Sequence, residues 1–156
     1  MKNPKTYTVD EATKVLEHYC AYQERCHKEV EQKLYDLKMI SEAKEHIILH
    51  LLQHNFLNEE RYAKAFTRGK FSIKKWGKIK IINQLKFKGI SEYNIKSSLK
   101  EIDSNEYLTT LKAIAEKKLP LIKESNSYKK SSKLAAFLIS KGFESELVFK
   151  TVKTLI

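Results

Sequence analysis

Glycine and proline are scarce in this chain, four and two among 156 residues. Few positions suit turns, and no Asn-Gly or Asp-Gly pair could seed a hairpin, so long helices are favoured over β structure. Nowhere do about eighteen apolar residues run together, so no transmembrane span is expected. The stretch Met1 to Asp10 lacks a hydrophobic signal core, which speaks against export and for a cytoplasmic protein. Cysteine is limited to Cys20 and Cys26. Their spacing is too wide for a zinc knuckle and no second pair exists. A reducing cytosol also disfavours a disulfide. Cys20 is therefore read as a small hydrophobe packed on a helix. A Gly-rich phosphate loop, a nucleophile elbow and a His-Glu-x-x-His sequence are all missing, so neither an enzyme nor a bound cofactor or metal is expected.

Acid is missing in one place above all. Between Arg61 and Ser91 stand ten basic residues and no Asp or Glu, so nearly all of the formal charge of +11 sits in a fifth of the chain. Such a concentration repels itself in a compact state and is better tolerated when a polyanion or acidic partner answers it. The apolar fraction of 42%, with 10% aromatics, is enough for a core and excludes wholesale disorder.

Helix punctuation recurs. Thr8 and Glu11 form a capping box before Ala12, Val15, Leu16, Tyr19 and Cys20. Asn58 precedes Glu59 and Glu60 as an N-cap with acids in the first turn. Ser41 and Ser91 stand in N-cap style between an isoleucine and a glutamate. Gly89 and Gly142 are placed to end helices in the left-handed conformation. Pro120 should end the helix before it near Leu119. Ile40-Ser41-Glu42, Ile90-Ser91-Glu92 and Phe143-Glu144-Ser145 mark a repeat of about fifty residues, drifting in its first copy. The expected architecture is all-α: three tandem three-helix repeats forming an elongated, curved molecule, with modules at 1–56, 57–102 (the basic one) and 103–156.

Helical projection orders the bases of the middle module. Tyr62, Ala65, Phe66, Gly69 and Ile73 form an apolar stripe, while Arg61, Lys64 and Arg68 form a second stripe on another face. In the next helix Ile79, Ile82 and Leu85 are expected to be buried with Ile81 at the edge, leaving Lys80, Gln84 and Lys88 aligned outside. Lys70, Lys74 and Lys75 join the two rows at the turn, beside Trp76-Gly77, and Lys78 opens the second helix. A merely soluble helix face usually mixes charge signs, so the lack of acid marks an interaction surface. Trp76 suits packing more than base stacking. A helix-turn-helix reader of duplex sequence fits less well, because the second helix offers lysines rather than base-reading residues at its start, with Asn83 and Gln84 expected buried. His46, His50 and His54 share a helix face without an acidic partner at a supporting spacing and are read as exposed polar residues.

The run Asn58-Glu59-Glu60-Arg61-Tyr62-Ala63-Lys64-Ala65-Phe66, then Lys70, Lys74-Lys75-Trp76-Gly77, Lys80-Ile81, Leu85 and Lys88-Gly89-Ile90-Ser91, resembles the central signature of the RecX family. The first module agrees more loosely through Tyr22, Arg25, Glu29, Leu34 and Leu37, with His27 where many relatives carry serine. The third agrees mainly through Lys141-Gly142-Phe143. The resemblance implies a crescent of three helical repeats, not an enzyme, that binds in the groove of the RecA–single-stranded DNA filament. There it would restrain filament growth, ATP hydrolysis, strand exchange and co-protease activity. The expected partners are the RecA nucleoprotein filament and single-stranded DNA, with duplex DNA secondary; a cytoplasmic monomer with no membrane partner is expected. The motif positions carried over are Arg61, Lys70, Lys74, Lys75, Lys80 and Lys88. The alternative is a sequence-nonspecific DNA-binding module acting without RecA.

Overall fold

A computed structural model describes residues 5–156; the first four residues, part of the stretch read for a signal core, lie outside them. Nine α-helices and no strand occur among the described residues. Three helices make the first triplet: α1 (Val9–Tyr22), α2 (His27–Asp36) and α3 (Ser41–Gln53). The second holds α4 (Glu59–Ser72), α5 (Lys78–Phe87) and α6 (Glu92–Leu99). The third holds α7 (Ser104–Lys118), α8 (Ser127–Ser140) and α9 (Ser145–Leu155), with a 3₁₀ turn at Leu119–Leu121 after α7. Pro120, which has no N–H to give, sits within that turn. None of these helices is long and apolar enough to cross a membrane.

The same backbone turn ends the second helix of each triplet. The amides of Met39, Ile90 and Phe143 reach back to the carbonyls of Leu34, Leu85 and Leu138, and the residue before each acceptor-seeking amide is left-handed. Those residues are Lys38 (φ 60°), Gly89 (φ 78°) and Gly142 (φ 98°). This Schellman-type closure satisfies carbonyls that the helix end would orphan. Its register corrects the repeat: Met39, not Ile40, matches Ile90 and Phe143. Ser41 is consequently the first helical residue and not a cap; Ile40 holds the cap position without a side-chain bond. Ser91 and Asn58 do cap their helices, at 3.2 and 2.9 Å. The Thr8–Glu11 box closes in both directions, at 3.0 and 3.1 Å.

Burial divides into two cores rather than three. One, inside α1–α3, holds Leu16, Cys20, Val30, Leu34, Ile47 and Leu51. The other runs unbroken from Tyr62 to Val152 and also takes in Cys26. The accessible surface is 10468 Å². A compact chain of this mass would expose about 8,100 Å², so the molecule is elongated.

Two helix faces differ from the expected projection. In α4 the core side is Tyr62, Ala63, Thr67 and Phe71. Ala65, Phe66 and Gly69 are only half-buried and Ile73 is exposed. Packing of α4 on α6 buries Ala63 and Thr67, and Thr67 Oγ1 donates to Ser98 Oγ at 2.9 Å inside the core. A buried threonine reads as polar in a hydropathy pattern, so the stripe was assigned one face away. In α5, Ile81 and Leu85 are fully buried, Ile82 is partly so, and Ile79 is 44% exposed. Asn83 is exposed and Gln84 half-buried, not buried as projected.

The second and third triplets meet through their backbones. Gly77 N–H donates to Lys141 O at 2.8 Å and Ile79 N–H to Gly142 O at 2.9 Å. A methyl group on Gly77 would lie 2.2–2.3 Å from backbone atoms of Gly142 and Phe143, so only glycine permits the approach. Tyr107 Oη accepts from Lys78 N–H at 2.9 Å and donates to Glu144. Burial raises the pKa of that hydroxyl, with the Glu144 bond adding to it, so it stays a donor. By contrast, the bonds between the first and second triplets come from side chains, chiefly Arg61 and Lys28.

Candidate nucleic-acid interface

The turn between α4 and α5 sets the geometry of the basic surface. Lys75 is held left-handed at φ 58°, a conformation that costs a non-glycine residue ~1–2 kcal/mol. The reversal brings Trp76 N–H back to Lys70 O at 3.0 Å and sets the indole edge-on to Phe66, with ring centroids 6.4 Å apart. Trp76 packs against the larger core yet remains half-buried. Lys70 and Lys80 place their ammonium groups over its ring, at 4.9 and 4.5 Å from the centroid. These are cation–π distances.

The expected rows fare differently. Arg61, Lys64 and Arg68 are each answered by a glutamate: Glu24 at 2.6 Å, Glu60 at 2.9 Å and Glu101 at 3.0 Å. The stripe on α4 is thus largely neutralised within the molecule, contrary to its reading as an open basic row. Sequence distance hid two of these acids, since Glu24 comes from the α1–α2 link and Glu101 from the turn after α6. Among the described residues, no carboxylate lies within 4.0 Å of Lys70, Lys74, Lys75, Lys78, Lys80 or Lys88. Lys74 and Lys75 are exposed at the turn. Lys78 lies over the Tyr107 ring at 4.7 Å, at the seam with the third triplet. Lys80, Gln84 and Lys88 fall on one face of α5, as projected.

That face borders a groove of about 520 Å³ between the first and second triplets. Tyr62, Phe66 and Trp76 line it, with Lys70, Gln84 and Lys88 on one side and Glu24 and Glu29 on the other. Burial pushes the Tyr62 hydroxyl well above the ordinary phenol range, and the nearby Cys26 and Glu29 add to this. The two glutamates were missed from sequence as part of this surface; Glu24 enters from the α1–α2 link and Glu29 from the first turn of α2, where it also accepts from Cys26 N–H. The surface is therefore mixed in sign, not free of acid.

The other sequence candidates resolve clearly. The backbone at the start of α5 is bonded to the Lys141–Gly142 turn through the amides of Gly77 and Ile79. His50 is not a free polar residue: its Nε2 lies 2.9 Å from Glu17 Oε2, and its ring stands 4.4 Å from that of His54. No group of three side chains able to hold a metal occurs among the described residues. Cys20 and Cys26 are both buried and unpaired.

Comparison with known proteins now adds to the geometry. The family models described as RecX, second three-helix domain, and RecX, third three-helix domain, match residues 58–99 and 105–152. The chain is 34% identical over 130 residues to "Regulatory protein RecX" of Clostridium perfringens (strain SM101 / Type A), covering 82% of this chain and 60% of that protein. It is 30% identical over 139 residues to the protein of the same name from Finegoldia magna, covering 88% and 68%. The chain thus spans about 60% of the length of the C. perfringens relative. The crystal structure of RecX from Lactobacillus salivarius superposes with a TM-score of 0.83 at 24% identity, over 94% of this chain and 96% of that one. At that identity the likeness speaks to fold.

Proposed function

The chain belongs to the RecX family of regulatory proteins, and on that premise we propose that it is a negative modulator of RecA. It binds the RecA–single-stranded DNA filament and restrains its ATPase, strand exchange and co-protease activities. It acts by contact, as a cytoplasmic monomer, and carries out no chemistry of its own. One observation supports this reading above others: Lys70, Lys74, Lys75, Lys80 and Lys88 have no carboxylate partner within 4.0 Å among the described residues, whereas the neighbouring Arg61, Lys64 and Arg68 do. Ammonium groups held apart from internal acids can neutralise filament phosphates or acidic groups on RecA.

The test is RecA ATP hydrolysis on single-stranded DNA with increasing amounts of this protein. The variant with Lys74, Lys75, Lys80 and Lys88 all changed to Glu should lose inhibition and keep its helical circular-dichroism spectrum. Retained inhibition rejects the charge mechanism. Direct binding to single strands should weaken with salt at a log–log slope of about −0.7 per phosphate contacted. Half-inhibition far below one molecule per RecA reports capping of filament ends; a need for near-saturation reports occupancy along the groove. Tight binding to bare DNA with no effect on RecA would instead favour the module acting alone.

A further inference from the structure

Near-neutrality outside the middle triplet conceals a second, smaller concentration of charge. From Lys117 to Lys133 stand six lysines against one acid, Glu124. The fold sets several of them in a row. Lys130, Lys133, Phe137 and Lys141 recur at +3, +7 and +11 along one face of α8, with Lys141 as its C-cap. Lys118, at the end of α7, holds its ammonium 4.6 Å from the Phe137 ring centroid and so joins that face. Together with Lys123 and Lys133 it lines a cavity of about 460 Å³. Glu124 bonds Lys133 at 2.7 Å. Among the described residues, no carboxylate lies within 4.0 Å of Lys117, Lys118, Lys123, Lys129, Lys130 or Lys141.

The row begins where the middle basic surface ends. Lys141 Nζ donates to Lys74 O at 3.3 Å, at the α4–α5 turn. From Lys141 back to Lys130 the helix runs about 16 Å, roughly the length of five phosphates of one strand at about 3.4 Å each. The joint between the two surfaces is firm, because the Gly77 and Ile79 amides bond the Lys141–Gly142 turn and both triplets share one core. We infer that α8 carries the middle basic surface onto the third triplet, as a track for the backbone of the same single strand. Lys118, Lys123 and Lys130 take phosphates there. The inference rests on the functional reading above only in that single-stranded DNA is the ligand. Ammonium groups gathered without acids repel one another, and a regular array of phosphates relieves that repulsion along the whole row. A strand held at Lys74 and Lys75 then meets the second row at high effective concentration. An acidic protein segment fits less well. It relies on apolar contact beside its charges, and the apolar lining next to this row is limited to Leu121, Ile122 and Phe137.

Acetylation of lysines by an activated ester, followed residue by residue by mass spectrometry, tests this on the unaltered protein. With saturating oligo-dT, Lys118, Lys123 and Lys130 should be protected severalfold, together with Lys74 and Lys75. The exposed Lys96, Lys150 and Lys153, on α6 and α9, should not. The triple variant Lys118→Gln, Lys123→Gln, Lys130→Gln should bind oligo-dT more weakly. Its log–log salt slope should be shallower by about 2, at about 0.7 per phosphate. Removing three equal charges by Lys96→Gln, Lys150→Gln and Lys153→Gln should leave the slope as it was. No protection at Lys118, Lys123 and Lys130, equal changes of slope in the two triple variants, or protection by polyglutamate but not by oligo-dT each overturns the track. RecA inhibition measured on the same sample separates the two readings. Inhibition with protection at Lys74 and Lys75 but not along the second row sinks the track alone. Protection of both rows without inhibition sinks the functional reading alone.

Discussion

Replacing Gly77 by alanine should split the molecule at its tightest joint. Gly77 has φ −76°, which alanine adopts freely, so any penalty comes from contact and not from backbone strain. The added Cβ would stand 2.2 Å from Gly142 C and 2.3 Å from Gly142 O and Phe143 N, where ordinary contact begins at 3.4 Å. The start of α5 must therefore retreat by more than an ångström. That stretches the Gly77–Lys141 and Ile79–Gly142 hydrogen bonds, now 2.8 and 2.9 Å, beyond useful length. Each lost bond costs about 1 kcal/mol net, and overpacking adds ~1–3 kcal/mol. The sum is about 4 kcal/mol. It should fall on the core shared by α4–α9, since the α1–α3 core does not touch this joint. Urea unfolding followed by Trp76 emission, beside circular dichroism, isolates that unit. For a unit of this size the loss corresponds to a fall in Tm of roughly 15–30 °C. Gly69→Ala is the control. Nothing lies within 4 Å of its Cβ inside α4, so it should gain up to about 1 kcal/mol from helix propensity. A Gly77→Ala protein within 1 kcal/mol of the parent would refute the claim that two backbones touch here.

Further outcomes follow from the two thiols and from Arg61. Burial pushes the Cys20 thiol from 9.0 up to about 11 and raises that of Cys26. At pH 8 both should react slowly with a thiol reagent in the native state and fully in guanidinium. A folded pKa raised above the unfolded one means that this contribution to stability is complete below pH 9 and is lost as pH climbs towards 11. Urea midpoints should fall across that window, and a flat profile would show the thiols to be exposed. Arg61→Ala removes bonds to Glu24, to the Asn55 side chain and carbonyl, and to Phe56 O. Allowing for its partial exposure, the loss should be about 2 kcal/mol. Amide exchange should quicken at residues 55–58, the link between the first two triplets; unchanged exchange would mean that Arg61 does not hold that joint.

The helical class, the turn at Pro120, the caps at Thr8, Asn58 and Ser91 and the left-handed Gly89 and Gly142 were legible in the chain. Each depends on residues within a few positions of one another, where local sterics and hydrogen bonding decide the outcome. The repeat slipped by one in its first copy because Lys38 does there what glycine does in the other two. A hydropathy pattern cannot register a lysine forced into the left-handed region. The α4 face was misassigned for a related reason, as Thr67 is polar by composition and core by position.

Composition and spacing alone determined that this protein is an array of helices whose positive charge is gathered in its middle. They could not show which charges remain open, because an ion pair such as Arg61–Glu24 joins residues 37 positions apart and only the packing of one triplet on the next brings them together. The tertiary structure made that choice. It silenced one basic row with Glu60 of the same helix and with Glu24 and Glu101 from two links, and left the lysines around Trp76 beside a groove. It also spent two glycines on a backbone-to-backbone seam, whose partners no local pattern connects.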